Sequence, residues 1–266
     1  MQYTVIVGTD IRVSRISFGT ASLHHLFSSG ERQRLLAEAA ANGVTHFDTS
    51  PLYGFGLAER ELGALIGKER ANFSVGTKVG LYPAGGASQG TLAVWTRKLF
   101  GKVYPPLAGP VVDWSVTRAA NSLNASLKRL KTDYVDFLLL HEPDIRLVDK
   151  EAFFGWIDRE KREGKVRYWG LAGLPQLLEP WVSIGHPLGH VLQMRDDLSS
   201  RKPPFLADSG RDFQFTYGYL SSETMASHRL PATEVICRAL EKNELGSIIV
   251  STRKVERVKA LAEAVC

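Results

Sequence analysis

Four titratable residues of different types close, or closely follow, short apolar runs. Asp48 lies near the end of VTHFDTS (44–50), with Tyr53 five residues further on, while Lys78 lies near the end of FSVGTKV (73–79) and His141 ends YVDFLLLH (134–141). A phenol with a pKa near ~10 is a reluctant proton donor at neutral pH. An adjacent ammonium favours the phenolate and lowers that pKa, so Lys78 is expected to tune Tyr53. A carboxylate beside the lysine, Asp48, keeps it charged and oriented, and His141 can hydrogen-bond a substrate oxygen. Together the four suit a carbonyl polarised for attack, with a proton ready for the developing alkoxide. None is set up as a nucleophile, so the hydride must come from a cofactor. Taken singly, each has a plainer reading: a helix cap, a solvated charge or a satisfied core histidine. Their shared position at the ends of successive runs favours chemistry.

The elements that would position them alternate. Eight β-like runs, at 15–20, 44–50, 73–79, 134–141, 166–172, 190–195, 213–220 and 247–252, are separated by helical patterns at 31–42, 57–66, 115–130, 149–163, 231–242 and 254–265. The segment 196–212 carries Pro203 and Pro204 and only a short apolar patch, so its helix is expected to be stunted or missing. Near-continuous apolar strands alternating with helices predict an α/β fold, a single (β/α)8 TIM barrel spanning residues 1–266. A doubly wound sheet would want a glycine-rich fingerprint opening its first helix, and none is there. Residues 3–7 and 11–13, around Gly8, Thr9 and Asp10, predict an N-terminal β-hairpin lid on the barrel floor. In such a barrel the strand C-termini carry function, which adds Thr20, Gln193, Tyr217, Ser251, Thr252 and Arg253 to the candidates. The Gly- and Pro-rich stretch 80–114 follows the third strand and falls at the same mouth.

Composition narrows the classes. The chain has 266 residues, 44% hydrophobic and 23% charged, with a net charge of +5 from 33 basic and 28 acidic residues. That excludes a disordered, collagen-like or disulfide-stapled chain. The basic excess is mild and dispersed, suiting a small anionic ligand rather than nucleic acid. Two cysteines, Cys237 and Cys266, make no disulfide framework. With no signal-like leader and no long apolar run, a soluble cytoplasmic protein is expected.

FDTSPLYGFGLAERELGALI (47–66) resembles the Asp-Thr-Ala-x-x-Tyr-Gly signature of the aldo-keto reductases. GTKVG (76–80), SLNASLKRLKTDYVDFLLLHEPD (122–144) and SIIVSTRKVERVKAL (247–261) follow in that family's order, so the resemblance covers essentially the whole chain. The wording is most similar to the sugar (L-fucose, L-galactose or D-threo-aldose) 1-dehydrogenase branch. The resemblance implies a nicotinamide-dependent oxidoreductase acting on an aldose or other small carbonyl/alcohol pair. Tyr53 would be general acid or base, Lys78 its tuner, Asp48 the holder of Lys78, and His141 the group that orients the carbonyl. Thr20 and Asp48 would lie near the nicotinamide ribose, Gln193 would bond the carboxamide, and Tyr217 would stack on the ring. Ser251, Thr252, Arg253 and Arg257 would hold the adenosine phosphate, which helix-start amides and arginines favour. Arg253, Lys254 and Arg257, with no acid at 251–255, lead us to expect NADP(H) over NAD(H), the latter remaining possible. No metal is implied.

The chain also departs from the family. Ala172 and Gly173 stand where a Ser-Asn pair would bond the carboxamide, and Ala260 and Leu261 where Glu-Asn would contact adenine. Restoring Ser-Asn is expected to tighten cofactor binding. These losses motivate an alternative: a catalytically weak cofactor-binding partner subunit or redox sensor. An isomerase or lyase using Lys78 as a Schiff base ranks last, because a lysine held beside a carboxylate stays protonated. Among lesser features, GFGLAE (54–59) lacks the third glycine of a phosphate loop, and HPLGH (186–190) has metal-like spacing in a turn. His24 and His25 could line the mouth, Trp95 and Trp114 could stack on a sugar or pack their loop, and Lys161, Arg162, Lys165 and Arg167 read as a solvated floor cluster.

Overall fold

The computed structural model describes residues 1–67, 69–85, 109–198, 201–221, 224–226 and 229–264. Trp95, Cys266 and most of the 80–114 stretch lie outside them. The expected hairpin is present: β1 (Tyr3–Val5) pairs antiparallel with β2 (Arg12–Ser14). Its inward residues Ile6, Ile11 and Val13 are buried against Phe137, Val191, Phe215 and Ile249, so the hairpin plugs the barrel floor.

The eight barrel strands are β3 (Ile16–Gly19), β4 (His46–Asp48), β5 (Ser74–Val79), β8 (Val135–His141), β9 (Val166–Gly173), β10 (Val191–Arg195), β11 (Phe215–Tyr217) and β12 (Ser247–Val250). They run parallel and close on themselves, β12 pairing with β3. The remaining pair among the described residues, β6 (Leu81–Pro83) and β7 (Pro110–Val112), is an antiparallel ribbon within the Gly- and Pro-rich stretch 80–114. The barrel interior is filled by rings: His46 stacks on Phe215 at 4.7 Å, and Phe137 meets Phe215 edge-on at 5.2 Å.

The helices follow their sequence patterns. α1 (Ser29–Ala41) starts two residues earlier than the pattern suggests because Ser28 and Glu31 form a capping box. α2 (Leu57–Ile66) falls on the expected residues. α3 (Val116–Leu130) and α4 (Lys150–Arg162) are capped by the side chains of Ser115 and Asp149. α5 (Pro175–Ser183) follows β9, and α6 (Pro204–Asp208) is the stunted helix. α7 (Ala232–Lys242) and α8 (Val255–Ala264) complete the outer layer. Their apolar faces bury Leu35, Leu62, Leu123, Phe153, Trp156, Trp181 and Ile236 against the outer strand faces, at ~1.5–3 kcal/mol for each large side chain.

Candidate active site

Parallel pairing sets the site. Gly19 is in register with Asp48, Lys78 with Leu139, and Ala172 with both His141 and Gln193. The strand ends therefore converge on one mouth. Tyr53 is delivered by the turn between β4 and α2, where its amide donates to the Ser50 carbonyl at 3.0 Å. Gly54, at φ +61°, makes that turn where His24 crosses it; a Cβ there would stand 2.6 Å from the His24 Cβ.

The Lys78 ammonium donates to Asp48 Oδ1 at 2.6 Å, to the Thr49 carbonyl at 3.0 Å and to the Tyr53 hydroxyl at 3.3 Å. Three acceptors fix its three protons. Its side chain is 1% exposed and that of Asp48 4%. Burial pushes the Asp48 carboxyl up and the Lys78 ammonium down, and their contact opposes both shifts. Gln193 also hydrogen-bonds Asp48. Beside Lys78, Thr77 donates to Glu59 at 2.7 Å, and Glu59 pairs with Arg129 at 2.7 Å, which braces β5 against α2 and α3.

One expectation is corrected by the electrostatics. Tyr53 is not lowered: burial, then the charges of Asp48 and Glu142, hold its phenol well above the ordinary range. The ammonium expected to win is committed to Asp48, so it acts as a hydrogen-bond donor to the phenol oxygen. His141 is pushed down to about 3 by burial, with Lys78 adding, and is therefore neutral. Its Nδ1 is buried without a hydrogen-bond partner among the described residues.

A cavity of about 380 Å³ opens at this mouth, lined in part by Asp48, Tyr53, Lys78, His141, Gln193, Tyr217 and Ser251. Other expected residues are tied to the backbone around the mouth. Thr20 is fully buried, and its amide and hydroxyl both donate to the Asp48 carbonyl, at 2.9 and 3.0 Å; it braces Asp48 while Ala21 lines the cavity. Thr252 is also buried, its hydroxyl accepting the Lys254 amide, and Ser251 donates to the Gly19 carbonyl at 2.8 Å. Arg253, Lys254 and Arg257 are exposed, and none pairs with an acidic group among the described residues. Leu261 packs into the core and offers nothing outward.

Sequence reasoning passed over Glu142. It follows His141 with a left-handed backbone, φ 55°, its amide donating to the Ala172 carbonyl at 2.7 Å, and it lines the cavity. A Cβ on Gly173 would stand 3.1 Å from its Oε2. A side chain at 173 would therefore press on this carboxylate, which weighs against a gain in binding from restoring the Ser-Asn pair. The available signal was adjacency to His141 at a strand end.

The lesser features resolve simply. Trp114 packs over Gly80 and meets Phe153 at 6.2 Å, so it holds its loop down. His186 Nδ1 accepts the Leu188 amide, and His190 Nε2 bonds the Gly8 carbonyl. The rings of His24 and His25 meet at 4.1 Å, tilted by 37°. In the floor cluster, Arg162 pairs with Asp158, Lys165 with Glu160 and Glu163, Arg167 with Asp10 and Asp136, and Lys161 lies over Trp169.

A nicotinamide cofactor fits these residues. The cavity is lined by the Tyr217 ring, the Gln193 amide, the His141 imidazole and Ser251, and Ser251 lies shortly before the exposed Arg253, Lys254 and Arg257 in the chain.

A closed (β/α)8 barrel with a carboxylate, an ammonium, a phenol and an imidazole at its C-terminal mouth belongs to the class that places chemistry on strand ends. The chain belongs to the Aldo/keto reductase family, whose model matches residues 15–177. It is 30% identical to L-galactose dehydrogenase of Arabidopsis thaliana over 69% of this chain and 52% of that protein. With D-threo-aldose 1-dehydrogenase of Pseudomonas sp it shares 28% over 62% of this chain and 51% of that protein. The chain thus spans about half the length of these curated relatives. The solved aldo-keto reductase from Klebsiella pneumoniae in complex with NADPH superposes with a TM-score of 0.70 at 20% identity, over 99% of this chain and 89% of that one, a likeness of fold.

Proposed function

We propose that the chain is a nicotinamide-dependent oxidoreductase that interconverts the carbonyl and alcohol of an aldose or other small aldehyde or ketone. The observation that carries this reading is Lys78 bridging Asp48 and Tyr53, at 2.6 and 3.3 Å, on a cavity shared with His141. When bound, the nicotinamide supplies or accepts the hydride. Neutral His141 offers an N–H to the substrate oxygen. Tyr53, held protonated by its burial, delivers its proton as that oxygen gains charge, and the reverse transfer serves oxidation. Lys78 then donates to the phenolate oxygen left behind, and Asp48 keeps Lys78 aimed.

The exposed Arg253, Lys254 and Arg257 support NADP(H) over NAD(H), as does the NADPH bound by the Klebsiella protein. The sugar-dehydrogenase relatives support an aldose. The same reading takes residues 1–266 as one barrel unit acting on a small molecule, not nucleic acid, in the cytoplasm. No helix among the described residues is long and apolar enough to cross a membrane. Titrating intrinsic fluorescence with NADPH and NADH, then assaying aldoses with the tighter-binding cofactor, tests this. Saturable quenching and aldose-dependent turnover are expected, and no quenching by either at millimolar concentration overturns it.

A further inference from the structure

Among the described residues lining the mouth cavity, three carry a full charge: Asp48, Lys78 and Glu142. Asp48 and Lys78 neutralise each other at 2.6 Å. Glu142 is the third charge, and no cation besides Lys78 stands among the described lining residues to face it. It is placed by structure, not by chance exposure. Its left-handed backbone is held by the 2.7 Å bond to the Ala172 carbonyl, and its carboxylate accepts the Leu174 amide. The missing side chain at Gly173 leaves room for its Oε2. Arg195 acts on the Glu142 charge from outside, being solvent-exposed and not part of the cavity lining. The charge is felt across the cavity, since it pushes up the phenols of both Tyr53 and Tyr217.

An oxidised nicotinamide ring is a cation and the reduced ring is neutral. In a site screened from water, one fixed carboxylate discriminates between them, because Coulomb energies grow as the effective dielectric falls. We infer that Glu142 selects the oxidised cofactor over the reduced one, tilting the bound couple toward the oxidised ring. This rests on the nicotinamide reading above.

The test is binding, not turnover. NADPH affinity is measured by fluorescence quenching and NADP⁺ affinity by displacement of NADPH, in wild type, Glu142→Gln and Glu142→Asp. Glutamine keeps the shape and removes the charge, while aspartate keeps the charge. The ratio Kd(NADP⁺)/Kd(NADPH) should rise about tenfold in Glu142→Gln, equivalent to ~1.4 kcal/mol, with NADPH itself changed less than threefold. Glu142→Asp should stay near the wild-type ratio. Equal weakening of both forms in Glu142→Gln would make Glu142 a carboxamide partner or a packing residue and overturn charge selection, as would no change in either. If wild type binds neither form at millimolar concentration, the nicotinamide reading falls first and takes this inference with it. Thermal melts of each variant exclude misfolding as the cause of a lost affinity.

Discussion

Lys78 meets Asp48 at 2.6 Å with both side chains almost wholly buried, so the pair is at once a device for the phenol and a structural ion pair. Removing one partner of a buried pair strands the other charge, at a cost of ~3–5 kcal/mol. Lys78→Met should therefore lose stability by about that amount in urea unfolding, as well as turnover. The double variant Asp48→Asn/Lys78→Met should recover much of the stability and none of the activity. A double variant as unstable as the single one would refute the stranded-charge account.

Tyr53→Phe removes one hydroxyl that accepts from Lys78 and matters most when a proton moves. We expect kcat to fall ~10²–10⁴-fold with cofactor affinity within about twofold, since the lost interaction belongs to the transition state. Wild-type kcat on the best substrate would remove Tyr53 from its role.

Cofactor choice rests on the exposed cations at the start of α8. A charge-assisted bond to a 2′-phosphate is worth ~1.5–3 kcal/mol. NADPH should bind roughly tenfold or more tightly than NADH, since ~1.4 kcal/mol is a factor of ten, with the advantage shrinking at high salt. Arg253→Ala should weaken NADPH and spare NADH. Equal losses for both would reassign the arginine to the shared part of the cofactor.

Because Oε2 of Glu142 lies 3.1 Å from where a Gly173 Cβ would stand, Ala172→Ser with Gly173→Asn should not tighten NADPH. A tenfold gain in a fluorescence titration would mean that Glu142 swings aside and leaves the pocket to the new amide.

His46, enclosed by Phe137, Phe215 and Ser74, is pushed down to about 3 by burial, with Lys78 and Arg70 adding. Its unfolded value is near ~6.5. Below that, the unfolded chain takes a proton that the folded chain refuses. The stability His46 contributes is thus present above pH ~6.5 and lost toward pH 3, with a slope of up to ~1.4 kcal/mol per pH unit. His141 behaves the same way. Urea unfolding between pH 7 and pH 5 should show the loss, and His46→Asn should flatten it. An unchanged slope in the variant would assign acid sensitivity to other groups.

The alternation of apolar runs and helical faces was enough to read the closed barrel, its floor hairpin and even the stunted α6. Those features follow from local periodicity, caps and prolines. Strand C-termini were legible for the same reason, so Asp48, Tyr53, Lys78, His141, Gln193 and Tyr217 could be expected at one mouth before any coordinate was known. Tertiary structure alone decided which way the side chains at those ends point and how much water they keep. Thr20 and Thr252 turn inward because backbone groups beside them need partners. Glu142 turns into the cavity because β9 brings a residue without a side chain, Gly173, against it. The Tyr53 phenol rises instead of falling because burial, Asp48 and Glu142 outweigh an ammonium already spent on Asp48. Periodicity is a property of neighbours in the chain, whereas desolvation and charge pairing are sums over neighbours in space, contributed here by β4, β5, β8 and β9, strands that begin up to 120 residues apart.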